Sequence, residues 1–192
     1  MAVCAYTLVA YEGHMYVFGG WDGQEYSNHV FEYDPSGNRW NSMPDMPTAR
    51  AFAGAAVAGE KIYIIGGKND SGSLTVNEVY QPDLEASKNG AWEKAAPLPS
   101  GRFGMGVASV ADIIYVVGGQ GSSNDALSTL EYIPSSDSWK IFESSLSQPV
   151  SQLGLVPLEA LLYAVGGQIN GIPEQKNQTY QVLFTIAVPL VR

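Results

Sequence analysis

The sequence contains very little cysteine and few basic residues. Cys4 is the single cysteine among 192 residues, which excludes an intramolecular disulfide. Only 10 Lys and Arg side chains stand against 19 Asp and Glu, and the formal net charge is −9. Nucleic acids and anionic membranes are bound by surfaces rich in Lys and Arg, so this charge argues against both classes of partner.

Long apolar runs and helical periodicity are also missing. The longest uncharged apolar stretch, residues 182–191 (VLFTIAVPLV), is about half as long as a membrane span requires and is better interpreted as a strand. No convincing run of apolar residues at i, i+3, i+4 and i+7 occurs, so amphipathic helices are not expected. With His14, His29 and one cysteine, the chain has no Cys/His cluster that could hold zinc. The sequence therefore predicts no membrane span, no metal site and no cofactor.

What the sequence does contain is one six-residue pattern that occurs four times, about 50 residues apart. The pattern reads apolar, Tyr, apolar, apolar, Gly, Gly. Its copies are residues 15–20 (MYVFGG), 62–67 (IYIIGG), 114–119 (IYVVGG) and 162–167 (LYAVGG), and their glycine pairs are Gly19 and Gly20, Gly66 and Gly67, Gly118 and Gly119, and Gly166 and Gly167.

Aromatic residues recur in phase with the glycine pairs. After each pair, a polar loop leads to a short segment that ends in Tyr, and a Trp follows in three of the four copies. The tyrosines are Tyr33, Tyr80, Tyr132 and Tyr180, and the tryptophans are Trp40, Trp92 and Trp139. Short apolar segments bounded by Gly, Asn, Asp and Pro predict four strands per repeat. A four-stranded repeat of this length is one blade of a β-propeller.

The double glycine and the Tyr and Trp that follow it (Gly20, Tyr33, Trp40) resemble the signature of kelch repeats, and the resemblance covers essentially all of the chain. It implies an all-β fold and a scaffold, because in kelch proteins these residues are structural. The fourth repeat has no Trp and is degenerate, as terminal repeats often are. We therefore predict a single kelch β-propeller domain over residues 1–192, with four-stranded blades at about residues 1–47, 48–99, 100–147 and 148–192.

Four repeats leave the number of blades in the closed ring open. The chain is part of a larger propeller, or a complete four-bladed ring, or a half-ring that dimerises into eight blades. An open array would expose large apolar faces on its first and last blades, which soluble proteins avoid. A homodimer through open propeller edges is therefore one expectation.

In kelch propellers the loops between second and third strands, and those between successive blades, share one face that commonly binds ligands. In this chain those loops are polar and suit hydrogen bonding to a protein segment or a glycan. The candidate ligand-binding residues are Trp21, Asp22, Arg50, Lys68, Asn69, Arg102, Gln120, Asn124, Gln168 and Asn170.

Three of these candidates have two interpretations each. Arg50 and Arg102 recur in phase before the second and third blades. Each either ties neighbouring blades through carbonyls or a carboxylate, or clamps a ligand carboxylate bidentately. Trp21 is either an exposed stacking platform or packing filler. The sequence alone does not decide among them.

The resemblance also extends to galactose oxidase and to bacterial sialic-acid mutarotases, which have kelch-type propellers. A carbohydrate-active enzyme of the oxidase or mutarotase type is therefore the alternative function. Galactose oxidase needs two His, tyrosines and a Cys cross-linked to Tyr, and nothing here singles out such a site. No Ser/His/Asp order, phosphate loop or HExxH motif occurs either. We expect no catalytic residues and predict a non-catalytic interaction module, with edge-strand pairing in an assembly as a further alternative.

Overall fold

The computed structural model describes residues 3–82, 91–121, 128–142, 148, 150–175 and 177–182. Over these residues the chain forms a succession of antiparallel sheets, one for each repeat, which we call blades I to IV. The predicted all-β propeller with four blades is confirmed. No helix in the described part of the chain is long and apolar enough to cross a membrane.

Blades I to III each have four strands in the order in which the chain supplies them, and three strands of blade IV are described. The fourth strand predicted for blade IV, at residues 182–191, lies outside the described residues apart from Val182. The blade strands are β1 (Thr7–Tyr11), β2 (His14–Trp21), β3 (Tyr26–Asp34) and β4 (Arg39–Met43) in blade I; β5 (Gly54–Ala58), β6 (Lys61–Ile65), β9 (Asn77–Tyr80) and β10 (Trp92–Lys94) in blade II; β12 (Gly106–Val110), β13 (Ile113–Val117), β15 (Thr129–Ile133) and β16 (Ser138–Phe142) in blade III; and β17 (Gly154–Leu158), β18 (Leu161–Val165) and β21 (Asn177–Gln181) in blade IV.

Short accessory strands form at one end of the blades, after the glycine pairs. They build two small hairpins and one pairing between an inter-blade segment and the loop that follows the third glycine pair. These strands are β7 (Lys68–Asn69) with β8 (Gly72–Ser73), β19 (Gln168–Ile169) with β20 (Ile172–Pro173), and β11 (Arg102–Phe103) with β14 (Gln120–Gly121). A 3-10 helix, Pro134–Ser136, leads into β16.

The register within each blade is set by a tight turn between the first two strands. Tyr11 pairs with His14 across the first such turn, and Val110 pairs with Ile113 across the third. Alternate residues of each strand then point to opposite faces of the sheet. In β1 this alternation leaves Thr7 buried and Leu8 exposed. The buried Thr7 faces the following blade, where its Oγ1 donates to the Ala53 carbonyl at 2.7 Å.

The core lies between the blades rather than in a single centre. Innermost strands of successive blades run side by side, β1 with β5, β5 with β12, and β12 with β17. Strands β17 and β1 lack the extensive contact that joins those pairs. Three apolar clusters fill the interfaces between successive blades, which we call seams. Between blades I and II, Phe18 and Val30 pack with Ile64 and Tyr80. The other two seams hold Ile65 and Val79 with Val116 and Leu130, and Tyr115 and Val117 with Leu162 and Ala164.

The Tyr and Trp residues that recur along the chain lie at these seams. Trp92 donates its indole N–H to the Pro44 carbonyl of blade I at 3.1 Å, and Trp139 donates to the Ala96 carbonyl of blade II at 2.8 Å. Each indole therefore bonds to the blade before it. The Tyr80 ring is fully buried in the seam between blades I and II, and this burial raises the pKa of Tyr80 to about 12.

Candidate functional site

The loops singled out in the sequence emerge at one end of the blades. We call this end of the propeller the loop face. Each blade begins with an entry segment that pairs in antiparallel fashion with the residue after its own glycine pair. The pairs are Cys4 with Trp21, Ala51 with Lys68, Phe103 with Gln120, and Ser151 with Gln168, so the four partners from the loops occupy equivalent positions.

Backbone hydrogen bonds connect the entry segments of neighbouring blades. Phe52 donates to the Ala5 carbonyl at 2.8 Å, Gly104 to Phe52 at 2.8 Å, and Gln152 to Gly104 at 2.6 Å. All four residues have φ between 54° and 63°. This left-handed conformation turns each N–H and carbonyl toward the adjacent blades, so the loop face rests on a fixed backbone frame.

Arg50 lies in this frame with its side chain buried. Its Nη1 contacts Glu78 Oε2 at 2.7 Å, and its Nη2 donates to the Ile64 carbonyl at 3.1 Å. Thr48 Oγ1 donates to the other oxygen of the Glu78 carboxylate at 2.6 Å. Burial lowers the pKa of the Arg50 guanidinium, and the Glu78 charge opposes that shift. The Arg50 guanidinium is buried against blade II and is therefore not accessible to a ligand.

Arg102 occupies the equivalent place in blade III and is also 1% exposed. Its Nη1 donates to the Ser128 carbonyl at 3.0 Å and lies 3.5 Å from the Gly118 carbonyl. Leu130 stands in blade III where Glu78 stands in blade II, as the strand registers show. The guanidinium here is held by backbone oxygens of its own blade.

The backbone of both arginines reaches the preceding blade. The Arg50 carbonyl accepts from Gly20 N–H at 3.0 Å, and the Arg102 carbonyl accepts from Gly67 N–H at 3.0 Å. Each arginine therefore ties two blades together, one through its carbonyl and one through its side chain. Among the two interpretations that the sequence left open, the geometry favours the tie between blades.

Lys68 forms the most distinctive feature of the loop face. Its Nζ lies 5.3 Å from the ring centroid of Phe52 and 5.1 Å from that of Phe103. The two rings meet edge to face with centroids 6.1 Å apart, and all three side chains are partly exposed. We call Phe52, Lys68 and Phe103 the lysine–phenylalanine cluster. It brings together blade II and blade III.

The electrostatics of this cluster are those of an accessible cation. Among the described residues, no carboxylate lies within ion-pair distance of Lys68 Nζ. Ammonium groups held over aromatic faces are stabilised by about 0.5–2 kcal/mol. The cluster therefore holds one positive charge over two aromatic rings, on a chain with a net charge of −9.

Phe52 and Phe103 did not appear among the sequence candidates. They follow Arg50 and Arg102 by two residues and one residue, so the two rings do not align in the repeat. An aromatic residue next to each recurring arginine was the available signal. Their meeting depends on how blade III is placed against blade II, which the repeat pattern does not specify.

The remaining candidates are spread around the loop face. Asp22 is exposed, and backbone donors from Glu25 and Gln24 lower the pKa of its carboxyl. Trp21 is partly buried, with its ring 4.6 Å from that of Tyr26.

The amide candidates mostly make local hydrogen bonds. Asn69 Nδ2 donates to the Ala49 carbonyl at 3.2 Å, and Gln120 Nε2 donates to Ser151 Oγ of blade IV at 2.9 Å. Gln168 is partly buried, Asn170 is exposed in its turn with φ of 52°, and Asn124 lies outside the described residues.

A polar cavity of about 650 Å³ lies at the opposite end, between blades I and II. One of its carboxylates, Glu32, accepts from Tyr16 Oη at 3.0 Å and from Asn41 Nδ2 at 3.1 Å. His14 Nε2 is 4.0 Å away. Both Glu32 oxygens are engaged by side chains of blade I, an arrangement typical of a structural carboxylate. The described residues contain no group of three His, Cys, Asp or Glu side chains placed to hold a metal ion.

The sequence is similar to those of several known proteins. The KLHDC2/KLHL20/DRC7 Kelch-repeats domain family matches residues 2–167. Kelch-like protein 35 of Mus musculus is 29% identical over 164 residues, which are 85% of this chain and 27% of that protein. Kelch repeat and BTB domain-containing protein 1 of Ectromelia virus (strain Moscow) is 28% identical over 169 residues, or 87% of this chain and 29% of that protein.

Beta-scruin of Limulus polyphemus is 35% identical over 117 residues, which are 57% of this chain and 12% of that protein. The chain therefore spans less than a third of the length of each of these relatives. The family match covers most of the chain and all four glycine pairs. The chain belongs to the kelch-repeat family of β-propeller proteins, as the recurring Gly, Tyr and Trp residues predicted.

Proposed function

We propose that this chain is a non-catalytic protein-interaction module that binds a segment of another protein on its loop face. The observation that carries the proposal is the lysine–phenylalanine cluster, where Lys68 Nζ lies over Phe52 and Phe103. A partly exposed ammonium flanked by two rings suits an acidic side chain that has an apolar neighbour. The named relatives, which include Kelch-like proteins and Beta-scruin, are consistent with this class of function.

The acidic character of the chain restricts which segment fits. With a net charge of −9, the chain repels strongly acidic partners at long range. A single carboxylate within a neutral or basic segment avoids that repulsion and still pairs with Lys68. The exposed carboxylates of Asp22 and Asp70 on neighbouring loops would meet basic residues of the same segment. Such charge complementarity governs specificity and association rate more than total affinity.

The rigid frame below the loops favours binding without rearrangement. Arg50 and the backbone chain through Phe52, Gly104 and Gln152 fix the positions from which the loops project. Preformed sites lose less conformational entropy on binding than mobile loops do. We therefore expect short peptides, and not only folded partners, to bind measurably.

Charge reversal at the cluster tests this function. Peptides selected from a random displayed library on the chain should contain an acidic residue, and Lys68→Glu should weaken the best of them at least about ten-fold. The reason is that the substitution replaces the attracting cation with a repelling carboxylate between the same two rings. Isothermal titration calorimetry of the purified variants gives the dissociation constants.

Lys140→Glu is the matched control, because Lys140 is exposed on β16 away from the loop face and changes the net charge equally. It should bind the peptide as the natural chain does. Equal weakening by both substitutions would mean that bulk charge governs binding, and the site would then not be at Lys68. Failure to select any peptide, with retention on a glycan array, would instead favour a carbohydrate ligand.

A further inference from the structure

We propose that the polar cavity between blades I and II, at the end opposite the loop face, binds an arginine side chain of a partner protein. The cavity has a volume of about 650 Å³ and is lined by residues of both blades. Cavities of roughly 300–1,000 Å³ commonly hold ligands in proteins. The site shares no residue with the lysine–phenylalanine cluster, so this inference is independent of the proposed function.

Glu32 supplies the carboxylate that would meet the guanidinium. Its side chain is 14% exposed, and Tyr16 and Asn41 each donate a hydrogen bond to a different one of its oxygens. A carboxylate offers about four acceptor positions, so one position on each oxygen is left by these two bonds. The same bonds hold the carboxylate in one orientation. A fixed carboxylate of this kind matches the bidentate fork of an arginine side chain.

The cavity carries carboxylates that its own cations do not neutralise. Among the described residues, no Lys or Arg side chain lies within ion-pair distance of Glu12, Glu32 or Glu60. His14 Nε2 is 4.0 Å from Glu32 and is a cation only when protonated. Three carboxylates on the lining of one cavity favour a positively charged ligand.

The two permanent cations of the lining are directed to other carboxylates. Arg39 Nε lies 3.4 Å from Asp34 Oδ2, and Lys61 Nζ lies 3.0 Å from Glu93 Oε2. Both cationic side chains are exposed at the rim, where solvent screens their charge. They therefore leave the negative charge around Glu32 available to an incoming guanidinium.

Two tyrosine rings form the aromatic part of the wall. Tyr11 and Tyr16 both line the cavity, and their rings meet edge to face with centroids 6.5 Å apart. A guanidinium group stacks on aromatic rings and is more weakly hydrated than an ammonium group. The rings therefore favour arginine over lysine as the bound side chain.

The hydroxyl of Tyr80 is a second feature that points to a ligand at this end. It is buried and has no hydrogen-bond partner among the described residues. The equivalent tyrosines of blades I and III are capped by the turn that follows their strand. Tyr33 donates to Asn38 Oδ1 at 2.8 Å, and Tyr132 donates to Asp137 Oδ1 at 2.6 Å. Buried hydroxyls without a partner are uncommon in folded proteins.

The Tyr80 hydroxyl is aimed toward the cavity. Its ring packs on Trp92 at 4.9 Å and 43°, and the equivalent pairs of blades I and III have 4.9–5.0 Å and 42–43°, so all three tyrosines point to the same end. Gln81, the next residue, lines the cavity. Burial and, to a smaller extent, the nearby Glu32 charge raise the pKa of Tyr80 to about 12. A guanidinium held by Glu32 would donate to this unused oxygen as well.

An NMR titration of the purified chain with N-acetyl-arginine methylamide tests the proposal. Saturable shifts should appear at lining residues such as His14, Asn41 and Lys61. The corresponding citrulline compound has nearly the same shape without the charge and should bind at least about ten-fold more weakly. The lysine compound should also bind more weakly than the arginine compound, because it lacks the planar fork.

Two substitutions locate the site. Glu32→Gln should weaken binding of the arginine compound at least about ten-fold, whereas Glu25→Gln, on the loop face of the same blade, should leave it unchanged. Tyr80→Phe should weaken binding about three-fold without lowering the melting temperature, because the hydroxyl that it removes has no partner in the free chain. Circular dichroism checks the fold of each variant.

Equal binding of the arginine and citrulline compounds would overturn the proposal, as would equal effects of Glu32→Gln and Glu25→Gln. Shifts centred on the loop face, or no saturable shift, would also overturn it. Lys68→Glu should keep its affinity for the arginine compound, because Lys68 lies at the other end of the blades. Failure of the loop-face site and failure of this cavity therefore give different results.

Discussion

Replacing Arg50 with Met is expected to lower the free energy of unfolding by about 3–5 kcal/mol. The Arg50–Glu78 pair, 2.7 Å apart, has side-chain exposures of 0% and 1%. Removing the guanidinium leaves the Glu78 carboxylate buried without its counter-charge, and that desolvated charge accounts for most of the loss. Urea denaturation followed by tyrosine and tryptophan fluorescence measures the change.

A second substitution separates the buried charge from lost packing. Combining Arg50→Met with Glu78→Leu should recover most of the loss, because blade III already carries Leu130 at the position of Glu78. The matched control is Arg39→Ala, which removes an exposed arginine that lies 3.4 Å from Asp34. Such surface pairs contribute about 0–1 kcal/mol. If Arg50→Met cost no more than Arg39→Ala, the account of the Arg50 guanidinium as the counter-charge of the buried Glu78 carboxylate would be wrong.

The second large effect is expected at Gly118. This residue has φ of +67°, and an added Cβ would clash with the Val150 carbonyl of blade IV. Gly118→Ala therefore combines left-handed strain with forced separation of two blades, and we expect a loss of about 4 kcal/mol or more. Thermal and urea unfolding both measure this loss.

Gly166 provides an internal comparison of the same residue type in the same motif. Its φ is +65°, yet an added Cβ meets nothing within 4 Å. Gly166→Ala should cost about 1–2 kcal/mol, the price of the left-handed conformation alone. Equal losses at the two positions would mean that blade contact is not what requires the glycine.

The parts of the fold that the sequence predicted are those that repeat. Residues equivalent to Gly20 and Tyr33 occur in all four repeats, and a Trp equivalent to Trp40 occurs in three, because the blades share the same turn and the same packing. The contacts between blades are similar in each repeat and therefore require similar residues at similar spacing. This periodicity can be seen in a single sequence. The strand count of blades I to III followed from the same periodicity.

The candidate site was predicted only in part, because its contacts run between blades. Lys68 was a candidate as a loop residue, but its position over Phe52 and Phe103 depends on the offset between blade II and blade III. Arg50 and Arg102 share a spacing and differ in their partners, since Glu78 and a pair of carbonyls lie far away along the chain. Repeat spacing carries no information about such partners.

The central claim, that the loop face is the binding surface, is tested most directly by hydrogen exchange with the selected peptide bound. Mass spectrometry of the chain with and without peptide should show slowed exchange in residues 50–53, 66–69 and 102–104. These segments carry or flank the lysine–phenylalanine cluster. Protection confined to the turns at the opposite end, residues 12–14, 35–38 and 59–61, would contradict the claim and place the binding surface beside Glu32.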